Sequence, residues 1–129
     1  GGVLQATGIG EALSAAMSDL GLPVIGAVYL VAVMLRLAQG SATVAMVTGA
    51  ALISPLLAAG DYSTAQLALV TIAIAAGATG FGHVNDSGFW IVNRYFRMTE
   101  RETLLTWTPI LTVISIVGLG ISSVLWIFV

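Results

Sequence analysis

Long uncharged apolar runs alternate with short polar breaks along most of this chain. The first run covers Leu22 to Ala38 and meets a single charge, Arg36. Gln39-Gly40-Ser41-Ala42 interrupts it, and a second run follows from Thr43 to Ala59 with Pro55 near its end. Gly60-Asp61-Tyr62-Ser63 is a polar turn. A third, alanine-rich run from Thr64 to Phe81 stops at Gly82-His83-Val84-Asn85-Asp86-Ser87-Gly88. Phe89 to Phe96 is short and helix-compatible. A charged loop follows over 97–104, and Trp107 to Val129 carries no charge.

A helix needs about 20 apolar residues to cross about 30 Å of hydrocarbon. Only the last run meets this comfortably, so 105–129 is expected to be a full transmembrane helix. The three earlier runs are short and interrupted, which points to discontinuous helices and a binding site at membrane depth. The pattern therefore predicts a pair of short helices over 22–59 and a broken helix over 64–97. Residues 1–21, interrupted by Glu11 and Asp19, read as the end of an earlier span followed by an interfacial helix.

Composition fixes the solvent. Of the 129 residues 58% are hydrophobic and 8% charged, against about 25% charged in a soluble domain. So few charges cannot cover a water-facing surface, and the fold class expected is an all-α integral membrane protein. There is no cysteine, hence no disulfide or thiolate chemistry. The net charge of −2 argues against a nucleic-acid partner. The start on Gly1-Gly2 and the apolar end are expected of the C-terminal portion of a larger protein. Arg94, Arg97 and Arg101 cluster in one loop, which places that loop in the cytoplasm and Asp61 and the C-terminus on the far side. Trp107 and Trp126 fit interfacial anchors at the two ends of the last run.

Two polar breaks hold the candidate chemistry. In the first, Gly40 would allow a tight turn, and Ser41, Ala42 and Thr43 would open the next helix. If the flanking helices form a re-entrant hairpin, this tip sits inside the membrane and its free N–H groups favour an anion. If they cross fully, it is an ordinary aqueous turn, and spacing alone leaves both open. Arg36 lies one turn before the tip. At depth an unpaired cation costs roughly 2.5–3.5 kcal/mol or more, so Arg36 would need Asp86 or a substrate carboxylate; at an interface it would snorkel.

The second break holds the chain's one histidine, His83, with Asn85, Asp86 and Ser87 among the glycines 80, 82 and 88. Glycine weakens a helix interior by about 1 kcal/mol, and Asn and Asp accept turn geometry. An unwound strip here would expose backbone groups beside His83, and histidine is the residue type that ordinarily switches charge near physiological pH. Intramembrane His and acidic residues commonly serve proton relays. The alternative is a polar cap at an interface. One His with one Asp is too small a ligand set for a metal site.

Together, "LRLAQGSATVAMVTGA", "GHVNDSGFW" and "YFRMTERETLLTW" resemble the C-terminal part of the gluconate permease (GntP) family, bacterial inner-membrane proton symporters for gluconate and related sugar acids. The resemblance covers nearly the whole chain. It implies one inverted-repeat half of an ion-transporter fold: a re-entrant hairpin over 22–59 with its tip at Ser41-Ala42-Thr43, a broken helix over 64–97 unwound at His83 to Gly88, and a final helix. It also implies the rest of the same permease chain as a partner, and a homodimer. Relatives in that superfamily often carry Asn between the Ser and Thr of the tip. Ala42 stands there in this chain, which favours a proton over sodium as the coupling ion, with no other cofactor.

The expected function is proton-coupled symport of gluconate or a similar hydroxylated carboxylate. Arg36 and the tip residues Gly40, Ser41, Ala42 and Thr43 would hold the carboxylate. Asn85, Ser87, Ser41 and Thr43 would meet hydroxyls, and His83 with Asp86 would carry the proton. A non-transporting membrane scaffold would share the apolar composition but gives no reason for a polar tip and a broken helix in one chain. An intramembrane hydrolase built on Ser41, His83 and Asp86 lacks any nucleophile-elbow pattern around the serine.

Overall fold

The computed structural model describes residues 23–129. The interfacial segment expected over 1–21 lies outside them. The described residues form five helices and no strand: α1 Val24–Gln39, α2 Ala42–Ala59, α3 Thr64–Thr79, α4 Ser87–Tyr95 and α5 Glu100–Trp126.

Local chemistry sets each boundary. Pro23, with φ −57°, opens α1 where its missing N–H costs nothing. Gly40 ends α1 in the left-handed region, φ +72°, and its N–H bonds the Arg36 carbonyl at 2.9 Å. Ser41 then caps α2. Ser63 and Gln66 form a reciprocal capping box that starts α3. Gly80 ends α3, and Asp86 caps α4 by accepting from the Gly88 N–H at 3.0 Å.

The last helix corrects one boundary. It starts at Glu100, earlier than the expected 105, and the 97–104 loop shrinks to a tight turn. A second capping box, Thr99 with Glu102, makes the difference. Glu100 and Glu102 fall in the first turn, where carboxylates favour the positive end of the helix dipole. The turn itself is held from α4: the Asn93 side chain donates to the Met98 carbonyl at 2.7 Å and to the Thr103 hydroxyl at 3.0 Å. The Arg97 φ of +54° completes the reversal.

Small residues decide the packing. Helix α3 lies against α1, α2 and α5, and its Gly77 lets the α1 backbone approach at Tyr29. Gly118 of α5 sits over Ala76, and Gly49 of α2 over Ile74. Such contacts are the usual means of association where lipid removes the hydrophobic drive between helices. Ile25, Val28 and Ala32 of α1 meet Val70, Ala73 and Ile74 of α3 in the core.

The surface is inverted relative to a water-soluble protein. Along α5, Ile110, Val113, Ile114, Ile116, Val117, Ile121 and Val124 face outward. Its buried positions include Thr103, Ser115 and Ser122. A continuous apolar exterior over a polar seam belongs in hydrocarbon. By length and composition α2 and α5 qualify as membrane spans.

A junction of two helix breaks

The two polar breaks meet. A Cβ added to Gly40 would collide with the Asn85 carbonyl oxygen. From the other side, the Asn85 side-chain amide donates to the Leu37 carbonyl at 2.8 Å, taking up one of the carbonyls that α1 leaves unbonded at its end. The Gly40–Ser41 turn and the 80–86 strip therefore form one junction.

Arg36 stands at its centre, 3% exposed. Its Nη2 pairs with Asp86 Oδ2 at 2.5 Å, its Nη1 donates to the Gly40 carbonyl at 2.7 Å, and its Nε donates to the Gly80 carbonyl at 3.4 Å. One guanidinium thus joins the end of α1, the end of α3 and the cap of α4. The arrangement follows the dipoles: the cation sits where two helix C-termini converge, and its counter-ion sits on a helix N-terminus. The Asp86 side chain is itself 10% exposed, so both charges are buried and paired. Gly82 makes room for the pair, since a Cβ there would lie 2.9 Å from both Arg36 Nη2 and Asp86 Oδ2.

The unwound strip keeps its backbone bonded by borrowed partners. Phe81 adopts φ +55°, which turns the chain out of α3. The Gly82 carbonyl accepts from the Thr108 hydroxyl of α5 at 2.6 Å, and the Val84 carbonyl from the Trp90 indole at 2.8 Å. The His83 carbonyl accepts from the Asp86 N–H at 2.8 Å. Beside it, Ser115 of α5 touches Gly80 and shares a 2.8 Å hydrogen bond with the Tyr29 hydroxyl.

The candidate residues fall into three classes of exposure. Arg36, Gly40 and Asp86 are buried; Ser41, Ala42 and His83 are partly covered; Thr43, Asn85 and Ser87 are exposed. His83 and Asp86 form no ion pair with each other. The Asp86 carboxylate is turned to Arg36, and His83 Nδ1 receives only a long 3.4 Å contact from the Asn85 N–H. No group of three or more metal-ligating side chains occurs among the described residues.

The α5 contribution was missed by the sequence reading. Thr108, Ser115 and Ser122 recur every seventh residue in an uncharged run. That spacing puts them on one helix face. The first two support the junction, while Ser122 bonds the Gly118 carbonyl within α5.

A polar junction of helix ends thus lies beneath an apolar exterior. The chain belongs to the GntP family of permeases, whose model matches residues 1–129. It is 42% identical over 116 residues to a low-affinity gluconate transporter of Escherichia coli (strain K12), covering 90% of this chain and 26% of that protein. It is 41% identical over 118 residues to a gluconate permease of Bacillus subtilis (strain 168), covering 92% and 26%. A Gnt-II system L-idonate transporter of E. coli (strain K12) shares 42% over 117 residues, covering 91% and 26%. The chain thus spans about a quarter of the length of these relatives. No solved structure gives a significant match.

Proposed function

We propose that this chain forms part of a proton-coupled symporter for gluconate or a closely related sugar acid in the bacterial inner membrane. The observation that carries the reading is the buried Arg36–Asp86 pair at the meeting of the Gly40 turn and the 80–86 strip, with Thr43, Asn85 and Ser87 exposed beside it in the chain. The names of the relatives supply the substrate class.

In this reading the junction lies at membrane depth and α1–α2 is a re-entrant hairpin. Helix α5 serves as a ruler. The junction touches it at Thr108, Leu111 and Ser115. These positions lie about 12–22 Å from its Glu100 end and about 16–27 Å from Trp126, at 1.5 Å per residue. The α3 start stands near the far end, where Tyr62 meets the Trp126 ring at 6.2 Å. Arg94, Arg97 and Arg101 at the opposite end support a cytoplasmic turn and a periplasmic C-terminus.

Substrate would bind along a rim formed by Thr43, Asn85 and Ser87. The first N–H groups of α2, at Ser41 to Thr43 beside Gly40, draw the carboxylate, with Arg36 beneath. Thr43, Ser41, Asn85 and Ser87 bond hydroxyls. Asp86 carries the coupling proton, and His83 stands at the rim to pass it. The remaining walls come from the rest of the permease chain, and the whole assembles as a homodimer. Ala42 leaves the tip without the side-chain oxygen a sodium ion would use.

The test is uptake of labelled gluconate by the full-length protein in proteoliposomes. Accumulation is expected when the outside is acidic, and its loss on adding a protonophore. Equal uptake with and without the gradient would refute proton coupling. Absence of any gluconate binding would refute the substrate class and favour a scaffold.

A further inference from the structure

We infer that Asp86 is a built-in competitor of the substrate: its carboxylate occupies the Arg36 position that a sugar-acid carboxylate takes once Asp86 is protonated. This rests on the transport reading above and specifies how the proton and the acid are coupled at that same site.

The ion pair itself motivates the inference. Arg36 keeps two of its three partners, the Gly40 and Gly80 carbonyls, whatever the state of Asp86. Only its Nη2 is held by a group that can lose its charge. Of the pair, the carboxylate is the more open member, 10% against 3% exposed, and its chain neighbours Asn85 and Ser87 are exposed. An added Cβ at Gly82 would crowd both members of the pair, and one at Gly88 would press on the Asp86 carboxylate.

Charge balance makes the exchange strict. The empty site holds one guanidinium and one carboxylate. In the loaded site a proton from the outer solution sits on Asp86, and the substrate carboxylate pairs with Arg36, so the net charge is unchanged. Substrate without the proton would set two carboxylates on one guanidinium. The proton without substrate would leave a buried cation uncompensated. Both half-loaded states are disfavoured, and one proton therefore accompanies one monocarboxylate.

Among the described residues, the groups around Asp86 allow few rivals. Helix α1 contributes Arg36, α5 contributes the neutral Thr108 and Leu111, and the start of α2 carries Ser41, Ala42 and Thr43. On its own strip the titratable neighbour is His83, which makes no ion pair with it. Asp61, Arg94, Arg97, Glu100, Arg101 and Glu102 stand at or beyond helix ends, away from the junction.

The experiment measures gluconate binding to the detergent-solubilised full-length protein as a function of pH, for wild type and Asp86→Asn. While Asp86 is ionised in the empty carrier, each added pH unit should raise the wild-type Kd about tenfold, because one proton is taken up per acid bound. Asp86→Asn should bind gluconate with a Kd flat in pH and no weaker than the wild type's best. It should still catalyse gluconate counterflow while losing accumulation against a gradient. Infrared difference spectra of the wild type, with minus without gluconate, should show a carboxyl C=O band appear, which decides the matter if the variant does not fold. A flat wild-type Kd, an unchanged pH slope in Asp86→Asn, failure of a folded variant to bind, or absence of the carboxyl band would each overturn the competition. Wild type that binds no gluconate at any pH would overturn the transport reading together with it.

Discussion

Gly40 is the residue on which the junction turns. Its left-handed backbone costs a side-chain-bearing residue about 1–2 kcal/mol, and the Asn85 carbonyl fills the space a Cβ would need. Gly40→Ala should therefore destabilise the protein by more than that strain alone and force the hairpin tip away from the 80–86 strip. A lowered Tm with much weakened gluconate binding is the expected result; an unchanged Tm would mean the tip does not pack there. Tyr29→Phe is milder. It removes one buried hydrogen bond to Ser115, worth about 1 kcal/mol, and leaves Ser115 to find another partner beside Gly80. A small stability loss with binding retained is expected from thermal denaturation and a Kd measurement on the same preparation.

At the scale of elements, the helices follow from their caps and the breaks from their glycines. Thr99 donates to Glu102 through its N–H and its hydroxyl. These bonds hold the Glu102 carboxyl below its usual value at the aqueous end of α5. A carboxyl depressed in the folded state stabilises above its unfolded value, and the benefit disappears as pH falls through the folded one. Thr99→Ala should lower the Tm at neutral pH, and the gap to wild type should narrow below about pH 4. A gap independent of pH would show that the box contributes only through the Thr99 cap on the Glu102 N–H.

The elements were largely legible because lipid demands long apolar helices and because Gly40, Gly80 and Gly82 mark where helicity fails. The start of α5 was misjudged because "TERE" was read by its charges. Thr99 three residues before Glu102, ahead of an apolar run, is a capping-box pattern. The pairing of Arg36 with Asp86 was one of two options the sequence allowed. Choosing between them needed the fold, since fifty positions separate the two residues and no local periodicity links them. The orientation of Asp86 away from His83 was not legible at all. Proximity along the strip suggested a couple, whereas the carboxylate satisfies the stronger field of the guanidinium.

For the whole molecule, the proposed topology predicts what should be reachable from each side. A single cysteine in place of Asp61 should react with a membrane-impermeant thiol reagent from the periplasm, and one in place of Arg97 only from the cytoplasm. A cysteine at Thr43 or Asn85 should be protected by gluconate, since both face the proposed substrate cavity. Labelling of positions 61 and 97 from the same side would contradict the topology. Saturating gluconate that leaves position 43 fully reactive would remove the rim from the binding site.

All of these expectations depend on a buried Arg36–Asp86 pair holding the α1–α2 turn to the break between α3 and α4. A double-mutant cycle on the unfolding free energy of the full-length protein, using Arg36→Met, Asp86→Leu and the combination, measures that pair directly. Each single change should cost about 3–5 kcal/mol by stranding a buried charge. The double change should recover much of the loss, giving an interaction energy of about 2 kcal/mol or more. Effects that add to within about 0.5 kcal/mol would mean the two side chains do not meet.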